Sequence, residues 1–200
     1  MYDTYESGKL QRSHLRHLID STFGGQSASW YLIGKDIEDM SMELNPNTST
    51  VKNILDESSV KDEGYEPSMT ADPYYANPGD AIYPKIKDIA FNRLKGDDCK
   101  TKMLEVLIDK TTGGYDAWQE DCMVKPTSYG GGQGGVTIPF TVSPCGNRVH
   151  GTVTISSGTV TFTPDSENVS DGTTESTSGG TSGGTSGGES EEETGNSGVG

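Results

Sequence analysis

The sequence predicts a mainly β protein, built as a β-sandwich or small barrel flanked by one α-helix. Short segments rich in β-branched residues recur between turn residues, and 27 glycines are spread over 200 residues. Only one segment has a clear helical stripe. Because that helix is apolar on one side alone, it must lie against a sheet.

The N-terminal part begins with an ambiguous segment. Residues 9–20 fit either a helix, with Leu10, His14 and Leu18 in one stripe, or an alternating strand. Strands are then predicted at residues 29–33 and 37–44, and a turn at residues 45–49. From residue 56 to residue 79 the apolar residues follow neither a helical nor a strand period, and prolines recur. This pattern predicts a long middle loop. Loops of this length in a compact domain are commonly functional.

The single helix is predicted at residues 83–95. Pro84 suits its first turn, and Gly96 is expected to end it. Its apolar stripe consists of Ile82, Ile86, Ile89 and Ala90. Five strands are predicted after it, at residues 102–109, 117–125, 136–142, 149–155 and 159–162.

The C-terminal part differs sharply in composition. Residues 165–200 are mostly Gly, Ser, Thr and Glu, contain no Lys or Arg, and have no apolar residue larger than valine. Such a segment cannot bury enough surface to offset the entropy of ordering. We therefore predict a β domain at residues 1–164 and a flexible, disordered acidic tail at residues 165–200.

The acidic charge balance of the chain argues against some classes of function. The formal net charge is -15, with 15 basic residues against 30 acidic ones, which argues against gripping nucleic acid through phosphates. No secretory signal is visible at the N-terminus, and no apolar run is long enough to span a membrane. Cys99, Cys122 and Cys145 are odd in number and far apart, as expected in a reducing cytoplasm.

No motif assembles a reaction site or a cofactor site. Gly130, Gly132 and Gly135 match G-x-G-x-x-G, but a β-branched segment follows instead of a helix, so a strand-connecting loop is favoured. His14 and His17 have no third metal ligand at a fixed spacing and are expected at the surface or rim. The carboxylates lack the spacing of a calcium loop, and no nucleophile has a base beside it. We expect no enzyme activity, cofactor or metal.

Several ordered motifs carry a family resemblance. They are Leu10-Gln-Arg-Ser13, Trp30-Tyr-Leu-Ile-Gly34, Lys52-Asn-Ile-Leu-Asp56, Gly64-Tyr-Glu-Pro67, Asp72-Pro-Tyr-Tyr-Ala76, Ser128-Tyr-Gly-Gly-Gly-Gln-Gly-Gly135 and Ile138-Pro-Phe140. In order and spacing the chain resembles the major tail tube proteins of long-tailed, siphovirus-type phages of Gram-positive bacteria. The resemblance runs to Phe162-Thr-Pro164 and favours a strand at residues 9–20.

The resemblance implies a tail-tube-type β-sandwich whose copies close into hexameric rings. The rings would stack into a tube around a tape-measure protein, with a tail terminator and a distal tail protein at its ends. Genomic DNA would pass through the lumen without specific binding, and no membrane partner is implied. The implied location is the virion tail, and the host cytoplasm during assembly.

The middle loop is the candidate for subunit or ring contacts, because exposed tyrosines among turn residues are typical of a contact surface. The candidate residues are Asn53, Tyr65, Pro67, Tyr74 and Tyr75. Two other functions stay open: the inner tube of a contractile or prophage-derived particle, and a surface-displayed binding module.

Overall fold

The computed structural model describes residues 7–37, 39–111 and 114–165, and the acidic tail predicted beyond Asp165 lies outside them. The described chain is mainly β with one α-helix, as predicted. In chain order its elements are β1 (Leu15–Asp20), β2 (Trp30–Ile33), β3 (Met42–Glu43), β4 (Pro46–Lys52), β5 (Ser58–Tyr65), β6 (Ser68–Ala71), α1 (Tyr83–Asn92), β7 (Lys100–Leu107), β8 (Tyr115–Pro126), β9 (Phe140–Pro144), β10 (Val149–Ser156) and β11 (Thr159–Pro164).

Strand β8 is the branch point of a nine-stranded sheet. One of its edges pairs with β7, which continues through β1 to β2. On its other edge the first half pairs with β10, and the second half pairs with β9. The β10 branch continues to β11, whereas the β9 branch continues through β6 to β3. The sheet therefore divides into two diverging branches.

The branching covers both faces of the central strands. Ile19 and Met103, opposite each other on β1 and β7, belong to one apolar core. Their neighbours Leu18 and Leu104 belong to a second core together with Val153 of β10. Because consecutive residues point to opposite faces of a strand, β1 and β7 are buried on both sides. A two-layer β architecture results.

Glycine at position 146 allows close contact at the branch point. Cys145 N donates a hydrogen bond to the Asp121 carbonyl at 2.8 Å. A Cβ atom on Gly146 would lie 2.8 Å from the Asp121 Cβ, closer than packed side chains tolerate. A larger residue there would push β8 away from the turn that enters β10.

The helix confirms the predicted stripe but ends early. Ile82, Ile86, Ile89 and Ala90 are all buried. The helix ends at Asn92, before the predicted Gly96, because Arg93 takes the left-handed conformation with φ 52° and its N–H donates to the Ile89 carbonyl. This is the geometry of a helix C-cap, with arginine where glycine is usual.

The predictions differ most from the structure in the middle region, residues 37–79. The predicted turn at residues 45–49 and the predicted long loop contain strands β4, β5 and β6. Since β4 and β5 are exposed on both faces, they carry no hydrophobic alternation that the sequence could reveal. Conversely, the strand predicted at residues 37–44 is reduced to Met42–Glu43.

Other predicted strands are shifted. Residues 9–20 form a short 3-10 turn, Arg12–His14, and then β1. The strand predicted at residues 136–142 begins only at Phe140, because Thr137 is held by isolated bridges to Tyr75 and Gly130. The remaining C-terminal strands agree within three residues at each end.

Candidate assembly surface

Residues 46–65 form a hairpin, here called the arm, that is a two-stranded sheet of its own. Strands β4 and β5 pair from Pro46–Tyr65 to Lys52–Ser58, with an irregularity near Thr48. At its base, Asn45 and Glu66 are joined by hydrogen bonds in both directions. Seven residues of β4 span about 23 Å at the usual rise of a strand. The arm can therefore extend well beyond the core.

The turn of the arm is organised by Asn53. Its side-chain oxygen accepts hydrogen bonds from the N–H groups of Leu55 at 2.9 Å and Glu57 at 3.0 Å. Its side-chain nitrogen donates to Glu57 Oε2 at 2.7 Å. Asn53, predicted as a contact residue, thus shapes the turn that presents its neighbours.

The arm exposes apolar side chains. Ile54 has 101% of its reference surface accessible and Leu55 has 72%, while Val51 and Val60 along the strands are also exposed. An apolar tip on a hairpin without a covering layer is costly in water and invites pairing. Ile54 and Leu55 are part of the motif Lys52-Asn-Ile-Leu-Asp56 but are not among the predicted contact residues, although two adjacent aliphatic residues in a polar segment indicate an exposed apolar tip.

A hollow of about 500 Å³ lies under the base of the arm. Met42, Leu44, Tyr65 and Pro67 form its apolar part. Tyr65 is exposed and Pro67 is half-buried, so both are accessible in a single copy, and their role in contacts stays a prediction. The other wall is charged and consists of Glu105, Glu120 and Arg148.

The charged wall belongs to a network across three strands. His17 Nε2 lies 3.2 Å from Glu105 Oε1, and the second Glu105 oxygen pairs with Arg148. Arg148 Nη1 is 3.6 Å from Glu120 Oε2, and its guanidinium lies over the Trp118 ring. Burial alone would raise the pKa of Glu105, but His17 and Arg148 outweigh it and hold that pKa below its ordinary value.

The two histidines were expected at the surface, and that prediction is wrong. His17 is 1% exposed and His14 is also buried. His14 Nδ1 accepts a hydrogen bond from the Gln11 N–H at 3.0 Å, and His17 Nδ1 lies 3.3 Å from an Arg12 nitrogen. Within the described ranges, no three His, Cys, Asp or Glu side chains are grouped so that they could hold a metal ion.

Tyr74 and Tyr75 point in opposite directions. Tyr74 is 3% exposed and packs edge-on against Phe140, with ring centroids 5.4 Å apart. The prediction that Tyr74 is a contact residue is therefore wrong, because the apolar core already covers it. Tyr75 is 42% exposed and remains accessible.

An exposed pair of aromatic rings lies at the end of α1. Phe91 stacks on Tyr129 with ring centroids 4.6 Å apart, and both rings are about half exposed. Next to this pair is a hollow of about 220 Å³, lined by Ala90, Arg93, Pro126, Thr127, Ser128 and Tyr129. The glycine-rich run that follows Tyr129 connects strands, as predicted, and opens no helix.

No helix in the described part of the chain is long and apolar enough to cross a membrane. Two of the exposed apolar features of the described surface are the tip of the arm and the Phe91–Tyr129 pair. Both are accessible in a single copy.

No family model and no curated protein matches the sequence. Among solved structures, the chain is similar to one in the tail of an empty GTA particle, computed with helical refinement and C6 symmetry. The identity is 14% and the TM-score 0.49, over 70% of this chain and 97% of that one. It is also similar to a chain in the sheath/tube terminator of an extracellular contractile injection system, PVC, in the extended state. There the identity is 10% and the TM-score 0.45, over 72% of this chain and 97% of that one.

Proposed function

We propose that the chain is the major tail tube subunit of a long non-contractile phage tail. Its copies would close into hexameric rings, and the rings would stack into the tube that conducts DNA. The observation that carries the proposal is the arm, whose two strands and apolar tip are exposed in a single copy. Such a hairpin gains its stabilisation from another molecule, and in a self-assembling tube that molecule is the next copy.

The open edges of the sheet support the same function. The β2–β1–β7 side ends at β2, and the two branches end at β3 and β11. Unpaired edges are a hazard in a monomer because they template aggregation. In a closed ring, edges of neighbouring copies can pair, so that the same feature becomes the means of assembly.

The charge of the chain suits a conduit. A net charge of -15 repels phosphates, so DNA can move past the protein without being held. The strands at the arm and at β11 are mostly polar and exposed, as a surface in contact with water requires. We assign no cofactor and no reaction to the chain.

The further partners follow from the family resemblance. They are a tape-measure protein inside the tube, a tail terminator and a distal tail protein. On this proposal the protein is part of the virion tail, after assembly in the host cytoplasm.

Negative-stain electron microscopy of the purified protein tests the proposal directly. We expect rings about one subunit thick and tubes of constant diameter, with six-fold averages in end views. Sedimentation at rising protein concentration should show the same transition from small to large species. A protein that remains monomeric at every concentration and salt tested would contradict the proposal.

A further inference from the structure

We propose that the tip of the arm of one copy docks into the hollow beside Phe91 and Tyr129 of a second copy. The inference rests on the proposed function in that it requires self-assembly, and it adds the identity of the acceptor surface.

Shape and polarity of the two surfaces are complementary. The tip is convex and presents the two aliphatic side chains of Ile54 and Leu55, both largely uncovered by their own chain. The acceptor is a hollow of about 220 Å³ next to a stacked aromatic pair. Aliphatic side chains placed against exposed aromatic rings remove apolar surface of both from water, which is the main source of interface energy.

Charge complementarity favours this hollow over the hollow under the base of the arm and the one that contains Arg12. The tip carries Asp56 and Glu57 directly after the aliphatic pair. The hollow carries Arg93, which is exposed and has no ion-pair partner among the described residues. An acidic tip entering beside Arg93 would therefore gain a new pair at its rim, which favours the correct register.

The hollow under the base of the arm is a poorer acceptor. Its cation, Arg148, is already paired with both Glu105 and Glu120, so two acids and one base face the entering tip. A third hollow, of about 390 Å³, is basic, but its Arg12 already donates to the carbonyls of Leu15 and Met40. Its apolar residues Ile33 and Met40 are buried in the core, and Leu32 and Ile37 are partly buried against the two cores.

A contact between two different surfaces of the same protein is heterologous, and this determines which assemblies the contact can form. Each copy would use its arm on one neighbour and offer its hollow to another. Such contacts propagate, and they give a closed ring or a growing stack according to the rotation between copies. A symmetric dimer, by contrast, would use both contacts at once and stop.

Site-directed disulfide trapping in the full chain tests the docking. In a Cys145→Ser background the remaining cysteines, Cys99 and Cys122, are buried. Leu55→Cys protein is mixed with Ser128→Cys protein, assembled and mildly oxidised. We expect a disulfide-linked dimer as the main product. Lys35→Cys in the basic hollow and Thr161→Cys on β11 are matched exposed acceptors that should cross-link little.

A charge exchange gives an independent readout. Arg93→Glu and Glu57→Lys should each raise the protein concentration needed for assembly by about tenfold, and the double variant should restore it. Thermal melting of the unassembled variants checks that the fold is intact.

The outcomes distinguish a failure of the docking proposal from a failure of the proposed function. Assembly without the Leu55–Ser128 cross-link, or with preferential linkage to Lys35→Cys, would overturn the acceptor while leaving the proposed function in place. Failure of the unmodified protein to assemble under any condition would overturn both. Single charge variants that assemble normally would also contradict the docking.

Discussion

Two adjacent tyrosines have opposite environments, and this has consequences for mutation. The side chain of Tyr74 fills the core between Phe140 and the residues around Ile82, while Tyr75 lies at the surface next to the glycine-rich loop. The cis peptide bond between Asp72 and Pro73 precedes them. Because consecutive residues of an extended backbone point to opposite sides, one aromatic ring is directed inward and the next outward.

Replacing Tyr74 with alanine should therefore destabilise the fold. Loss of a buried aromatic ring leaves a cavity and costs about 3–5 kcal/mol. Tyr75→Ala is the matched control, and it should change the free energy of unfolding by less than about 1 kcal/mol because surface changes are usually small. Urea unfolding of the two variants measures the difference. Equal stability of the two would contradict the assignment of Tyr74 to the core.

Glu105 is the buried charge on which the network with His17, Glu120 and Arg148 depends. Its pKa is held below the ordinary 4.5 by His17 and Arg148, against the effect of burial. A carboxyl group with a lowered folded-state pKa contributes stability above its unfolded pKa, and this contribution is lost as the pH falls through the folded value. The network therefore stabilises the fold at neutral pH and fails in acid.

Glu105→Gln should lower the free energy of unfolding at pH 7 by about 1–3 kcal/mol, since a buried charged hydrogen bond is lost. The same variant should lose less stability as the pH falls below the ordinary pKa of a glutamate, because the carboxyl group that gives up its charge there is gone. Urea titrations at several pH values test both expectations.

Glu120→Gln is the matched control for that variant. Burial raises the pKa of Glu120 despite the opposing charge of Arg148, so its charged form is not favoured by folding. Removing that charge should leave stability at pH 7 nearly unchanged. A loss as large as that of Glu105→Gln would mean that the two acids are equivalent, contrary to the opposite directions of their pKa shifts.

At the scale of elements, substitutions in the tip of the arm should affect assembly without affecting the stability of the fold. Ile54→Ser together with Leu55→Ser should leave the melting temperature of the unassembled protein unchanged, because neither side chain packs on the core. Assembly should be strongly reduced, since the apolar tip is lost. Leu10→Ser, at an exposed apolar residue outside the arm, is the control. Normal tubes from the double variant would exclude the tip from the interface.

The elements that could be predicted from the sequence are those with one buried face. The stripe of α1 and the alternation of Cys122 and Val124 in β8 both follow the period of their element, and both are buried as expected. The arm has no buried face and therefore no hydrophobic periodicity, so the sequence predicts a turn and a loop where the structure has two strands. The helix end was misplaced because Arg93 takes a conformation that glycine usually supplies.

The candidate site was predictable in region but not in detail. The predicted contact residues Asn53 and Tyr65 lie in the arm, yet Tyr74 is buried and Asn53 has a turn-forming role. The network of His17, Glu105 and Arg148 joins residues more than 40 positions apart through strand pairing. Spacing along the chain carries no information about such contacts.

At the scale of the whole molecule, the acidic tail is expected to be dispensable for folding. The described β domain extends to Asp165, whose N–H donates to the His150 carbonyl and whose carboxylate lies 2.5 Å from His150 Nδ1. Truncation should therefore follow Asp165, one residue beyond the predicted boundary. Since the composition of residues 166–200 offers no core contacts, the melting temperature should not change. A decrease of several degrees would mean that the tail packs on the domain.

The charge of the whole chain leads to a prediction about DNA. With 15 basic residues among 30 acidic ones, the free protein should not bind duplex DNA measurably at ~0.15 M salt. Each phosphate contact requires a cation that is free to release a counterion, but Arg148, Lys61, Lys100 and Lys110 are paired with carboxylates. At this salt concentration charges act over about 8 Å, so only a local basic surface could bind.

Fluorescence anisotropy with a labelled duplex, at low and at physiological salt, measures this binding. The basic hollow lined by Arg12, Arg16 and Lys35 brings three cationic residues together, so it is the place to test for DNA binding. If that hollow held DNA, Lys35→Glu would abolish the signal and the affinity would fall steeply with salt. Micromolar affinity of this kind would contradict a conduit that DNA must leave freely, and would favour a nucleic-acid-binding module instead. Absence of binding, together with tube formation by the same preparation, is the combination that a DNA-conducting tube requires.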